Sequence, residues 1–164
     1  GTFIVTSNSL CYMDADFAIH LFGQRGRNLQ PDVPQLVWRR YEGYTWFVQM
    51  IMNELFSLTP EGGTCTADMI DEAHHNVIMA QESTYAELMS NLPPKQKVVL
   101  QAIAKEGIAN SITSSKFIKK YNLNSASSVQ AAVKLLLKND LITQNESGYR
   151  VYDYFFSEWL AKVY

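Results

Sequence analysis

The sequence predicts a mainly α-helical chain in two parts: a helical bundle over residues 1–91, then a winged helix-turn-helix over residues 92–164 with a small β-hairpin as its wing. Three observations lead there. Apolar residues from Asp14 to Met89 recur at three- and four-residue spacing, the period of helices packed on a core. Leu92-Pro-Pro94 then interrupts that pattern, because a proline and the residue before it both resist helix interiors. Beyond it, three short amphipathic segments lead directly into two short strands around Asn145-Glu-Ser-Gly148.

Taken in order, Phe17, Ala18, Leu21 and Phe22 share one face of a first helix that Gly23-Gln-Arg-Gly-Arg27 ends. Pro31-Asp-Val-Pro34 opens a second, with Val33, Val37 and Tyr41 as its stripe. Glu42-Gly-Tyr-Thr45 breaks the chain, and Thr45 is placed to cap a third helix through Phe56 that is apolar almost all round. Trp38, Tyr41, Trp46 and Phe47 read as core. Pro60-Glu-Gly-Gly63 is a turn; Thr66 caps a helix carrying Ile70, Ala73, Val77 and Ala80, and a separate short helix covers Ser83 to Met89.

In the second part, Val99, Leu100 and Ile103 form the first inner stripe. Thr113 caps a short basic helix ending at Tyr121. Ser125 caps a third, whose inner face is Val129, Ala132, Val133 and Leu136 and whose outer face is Ser127, Gln130, Ala131, Lys134 and Lys138. Leu141–Thr143 and Tyr149–Tyr152 are the strands, with Gly148 supplying the positive φ of the turn. An aromatic helix from Phe155 to Val163 docks back on the bundle.

The formal net charge of -2 conceals an asymmetry. Residues 91–164 carry ten Lys/Arg against five acids, a net +5, whereas residues 1–90 carry four Arg against eleven acids, a net -7. A basic part of this kind suits a polyanion, and mutual attraction of the two parts is the plainer alternative. No apolar run approaches a membrane span and no basic-then-apolar leader opens the chain, so a cytoplasmic setting without membrane contact is expected. Cys11 and Cys65 match no metal or redox spacing and read as thiols in a reducing compartment. The leading Gly1 and the isolated Thr2-Phe-Ile-Val5 suggest a piece of a longer polypeptide.

Double-stranded DNA is the expected partner of the basic part. Small Ser125, Ser127 and Ser128 let a helix approach a groove, Gln130 can pair with adenine, and Lys134 reaches phosphate. Lys116, Lys119, Lys120 and Arg150 would add salt-dependent phosphate contacts. The alternative is a protein-docking module, since that helix carries neither Arg nor Asn on its outer face. His74-His75 point about 100° apart on a helix and do not jointly ligate a metal, so they read as surface or boundary residues, as does His20. Arg25-Gly-Arg27 reads as a solvated helix end.

Several segments together resemble the lid domain and winged helix of archaeal-type AAA+/STAND ATPases, which also occur in bacteria. They are Gly43-Tyr-Thr-Trp-Phe-Val-Gln49, Ile70-Asp-Glu-Ala73, Gln96-x-x-Val-Leu100 and Asp153-Tyr-Phe-Phe-Ser-Glu-Trp-Leu160. Thr45 and Tyr154 stand where that family has proline. The resemblance covers the chain from about Asp14 onward and implies that residues 1–91 are a lid bundle. It further implies that an ATPase core with ATP and Mg²⁺ lies upstream, and that Arg39, Arg40, Gly43, Tyr44 and Thr45 are candidates to meet the nucleotide. No Gly-x-x-x-x-Gly-Lys-Ser/Thr loop is present, so this stretch itself is expected to carry no catalytic machinery and no cofactor. A non-enzymatic winged-helix transcription regulator and a protein-binding adaptor are the rival readings.

Overall fold

The computed structural model describes residues 14–163. Gly1, the expected strand at residues 2–5 and Cys11 lie outside them. The chain is mainly helical, and contacts divide it into two compact units, residues up to 80 and residues from 81 on.

The first unit contains α1 (Ala15–Gly23), β1 (Asn28–Leu29), α2 (Val33–Arg40), α3 (Thr45–Leu58), β2 (Thr64–Cys65) and the first part of α4 (Met69–Asn91). Its core is Phe22, Val33, Val37, Tyr41, Val48, Ile51, Met52 and Leu55, each at most 1% exposed. The stripe expected for α2 is therefore the buried one. Other expectations fail locally. Phe17 faces solvent, because only Ala18 and Phe22 of its helix meet the core. Trp46 is 55% exposed, so α3 is buried on one side and not all round; Trp38 is half-buried, its ring lying under Gly43. The N-cap of α3 is Tyr44, with no side-chain cap bond, which displaces Thr45 into the first turn. A short parallel pairing of Asn28 with Thr64 and Leu29 with Cys65 had no signal in the pattern, since two-residue strands are too brief to show a period.

Two further residues and one helix differ from their reading. Arg27 is not a solvated end: its Nε donates to the Thr59 carbonyl at 2.7 Å, and its guanidinium lies 4.3 Å from the centre of the Phe56 ring. His74 is buried, not at the surface; its Nδ1 shares a hydrogen bond with the Tyr41 hydroxyl, and the two rings stack. The helices expected at Thr66–Ala80 and Ser83–Met89 are one, α4, which runs unbroken from Met69 to Asn91. Gln81-Glu-Ser-Thr84 contains no glycine or proline to stop it, and helical geometry propagates cheaply once nucleated.

The second unit contains the remainder of α4, then α5 (Pro94–Glu106), α6 (Ser115–Lys120), α7 (Ala126–Lys138), β3 (Ile142–Asn145), β4 (Gly148–Val151) and α8 (Tyr154–Val163). Pro94 sits in the first turn of α5, where its missing N–H costs nothing. α5 packs against both α7 and α8, with Leu100, Ile103, Leu136, Phe155 and Leu160 fully buried between them. Each such side chain contributes on the order of 1.5–3 kcal/mol by leaving water. The inner face of α7 is the expected Val129, Ala132, Val133 and Leu136. α8 docks through Phe155, Phe156, Trp159 and Leu160. Asp153 accepts from the N–H groups of Phe155 and Phe156 at 2.8 and 3.1 Å and so caps α8. The Tyr85 hydroxyl of α4 donates to the same carboxyl, which burial pushes above the usual carboxylate range.

The wing is an antiparallel pair in the register Ile142–Val151 to Asn145–Gly148. A third segment joins it: Ala109 and Tyr149 exchange both backbone hydrogen bonds, at 2.7 and 2.8 Å. Gly148 is required here twice over, by its φ of +136° and because a Cβ would fall 2.4 Å from the Ala109 carbonyl oxygen. Helix, short helix, helix and wing thus follow the order of a winged helix-turn-helix.

Candidate nucleic-acid interface

α7 buries one side and exposes the other along its length. Ser125 has an extended N-cap conformation and its Oγ accepts from the Ser128 N–H at 3.2 Å. Lys138 occupies the last turn, where a cation is favoured by the dipole. Residues four apart on the solvent side of a helix form a row, and α7 carries two such rows of three. One is Gln130, Lys134 and Lys138; the other is Ser127, Ala131 and Leu135.

The two rows border different grooves. Gln130, Lys134 and Lys138 line a groove of about 700 Å³ completed by Ser111, Ile112 and Thr113 and by Tyr149 of the wing. Ser127, Ala131 and Leu135 line another of about 770 Å³, whose far wall is the first turn of α5, Pro93 to Gln96. Lys119, Lys134 and Lys138 are exposed and make no ion pair among the described residues.

The expected DNA-contacting residues therefore separate. Gln130 and Lys134 share the wing-side groove. Ser125, Ser127 and Ser128 lie on the other, where the Oγ atoms of Ser125 and Ser127 are 3.1 Å apart. Lys116 and Lys119 are exposed on α6. That helix is capped by Ser114, whose Oγ accepts from the Phe117 N–H at 3.2 Å, and not by Thr113 as its pattern suggested. Lys120 is engaged locally: its Nζ is 2.6 Å from Glu106 Oε1, which also accepts from the Tyr121 hydroxyl at 2.5 Å. The Lys120 hydrogen bond is the main reason the Glu106 carboxyl lies below its ordinary range. Arg150 donates to the Tyr154 hydroxyl at 2.6 Å. Strand alternation puts it on the opposite face of β4 from Tyr149. Lys138, expected on the outer face of α7, joins the wing-side groove with Tyr149, which had no signal as a site because only the fold brings the hairpin beside the end of α7.

The five residues that the resemblance singled out run from the end of α2, with Arg39 and Arg40, through the turn at Gly43 and Tyr44 to Thr45, the first residue of α3. Gly43 has a φ of +73°, and a Cβ there would fall 2.7 Å from Trp38 Cζ2, so this turn excludes any other residue. Tyr44 sits edge-on to Phe47. Thr45 and Arg39 are exposed. Arg40 is paired at 2.6 Å with Asp71, whose carboxyl it holds below the usual range chiefly through that hydrogen bond. Among the described residues no group of three His, Cys, Asp or Glu is placed to hold a metal, and no helix is long and apolar enough to cross a membrane. Cys65 is buried, and burial raises its thiol above the ordinary value.

Residues 83–162 match a family model described as "Probable winged helix domain", which agrees with the arrangement of α5 to α8 and the wing. No curated protein gives a significant match to the chain, and neither does any solved structure. The second unit thus has the fold of a winged helix domain.

Proposed function

We propose that the protein binds double-stranded DNA through the wing-side row of α7. The observation that carries this reading is the row itself: Gln130, Lys134 and Lys138, exposed at four-residue spacing along a groove that Tyr149 of the wing closes. Two unpaired ammonium groups on one helix face, with Lys116 and Lys119 on the preceding helix, provide phosphate contacts. Gln130 adds a side chain able to read a base edge, through the paired donor and acceptor of its amide. Duplex titration of the full chain at two salt concentrations tests this. Affinity should fall steeply with salt, and the Lys134→Gln, Lys138→Gln double variant should flatten that dependence. A salt-independent affinity, or one the double variant leaves unchanged, overturns the reading.

The resemblance to AAA+/STAND lid and winged-helix segments supports a finer form of the proposal. In it the chain is the C-terminal regulatory part of an ATPase whose core binds ATP and Mg²⁺. Arg39 is the lid cation that faces the nucleotide, since Arg40 is held by Asp71. The nucleotide state then sets the affinity of the winged helix for DNA. Equal duplex affinity of the full-length polypeptide with and without ATP would refute nucleotide control while leaving DNA binding intact.

A further inference from the structure

The groove on the other side of α7 has a chemistry that phosphate contact does not use. The first turns of two 13-residue helices, α5 and α7, line it, and neither carries an acidic residue to offset its positive end. Lys95 adds a formal positive charge, and no carboxylate lines the groove. It continues across Pro94, Lys95, Asn124 and Ser128 into a smaller groove of about 210 Å³. Each is lined by an exposed aliphatic side chain, Leu135 at 43% in the larger and Val98 at 44% in the smaller. Gln96, also lining the groove, is 8% exposed and its Oε1 has no hydrogen-bond partner. A buried acceptor left in that condition is stabilised by a donor such as a peptide N–H.

We infer that this continuous groove is a docking site for an acidic segment of a partner protein, in which carboxylates are flanked by aliphatic side chains. The carboxylates meet Lys95 and the two helix N-termini, and the aliphatic groups cover Leu135 and Val98. A nucleic-acid backbone matches the positive charge but leaves both aliphatic side chains in water, which is why a peptide fits better. The row Ser127, Ala131 and Leu135 thereby serves a different partner from the row Gln130, Lys134 and Lys138.

The test uses the full chain with a fluorescein-labelled peptide built around Leu-Asp-Asp-Leu, its Leu-Asn-Asn-Leu counterpart, and a labelled duplex. The acidic peptide should bind saturably. Leu135→Ser, Lys95→Gln and the Asn peptide should each weaken it about tenfold, the loss expected for an anchor contact, while Lys134→Gln with Lys138→Gln should not. The Asn peptide addresses the same claim on unaltered protein, so the outcome does not depend on any variant folding. Absence of saturable binding, or indifference to both Leu135→Ser and the Asn peptide, overturns the inference. Displacement of the peptide by duplex, together with weakening of both ligands by the lysine variants, also overturns it, by making the groove part of the nucleic-acid surface. Retained duplex binding with no peptide binding would sink this inference and leave the DNA reading standing.

Discussion

The two solvent-facing rows of α7 are separated by about 100° of helix and by little else, yet they differ in almost every respect that governs recognition. The wing-side row carries two lysines and an amide beside a tyrosine of the hairpin. The α5-side row is serine, alanine and leucine, beside two prolines and a second helix N-terminus. One helix on one core thus presents a charged reader and an aliphatic seat. The lesson is that exposure alone does not define an interface: what stands across the groove decides which ligand chemistry each row can meet.

The comparison breaks most completely if the shared core is damaged. Leu136 is fully buried beneath both rows, and Leu136→Ala should cost about 2–5 kcal/mol. Chemical denaturation should show that loss, with duplex and peptide binding falling together. A variant that kept one and lost the other would mean that the rows do not share a scaffold. Gly148→Ala sharpens the contrast. Its Cβ would clash with the Ala109 carbonyl, so about 1–3 kcal/mol of strain should loosen the wing and weaken duplex binding while peptide binding persists. Paired duplex and peptide titrations read that difference.

Ser125→Ala removes the cap of α7, on the α5 side, at a cost of about 1 kcal/mol measurable as a lower melting temperature. The smallest expected effect concerns pH. Burial raises the Asp153 pKa above its unfolded value of 3.8, so the fold favours the protonated carboxyl. Its contribution is fully present below pH 3.8 and is lost as pH rises through the raised value. Relative to Asp153→Asn, which keeps an amide oxygen to cap α8, the native protein should lose stability across that window. Denaturant unfolding of the two proteins at a series of pH values measures it, and parallel curves would remove Asp153 as a titrating group.

The winged helix was legible because each of its elements carries its own local signal. Pro94 opens α5, Ser125 caps α7, Gly148 turns the hairpin, and Val129, Ala132, Val133 and Leu136 repeat at helical spacing. The first unit was less so. His74 reads from sequence as a surface or boundary residue, yet it is buried because a helix turns each successive residue by 100° and this one faces Tyr41. Trp46 looked like core from its size alone, and only the direction of the α3 core face places it outside. Helix α4 is one element where two were expected, because Gln81-Glu-Ser-Thr84 holds no glycine or proline, and polar residues set which side of a helix faces water, not where it stops.

For the interface, composition and period determined that α7 would expose Ser127, Gln130, Ala131, Lys134 and Lys138 and bury the opposite side. The same information treated those exposed residues as one surface. Their separation into two grooves was decided by tertiary structure, through the return of the hairpin to bring Tyr149 beside Lys134 and the packing of the first turn of α5 beside Ala131. Periodicity is a property of a single segment and fixes angles about its own axis. What lies across from each angle depends on contacts between residues distant in the chain, which no local pattern encodes.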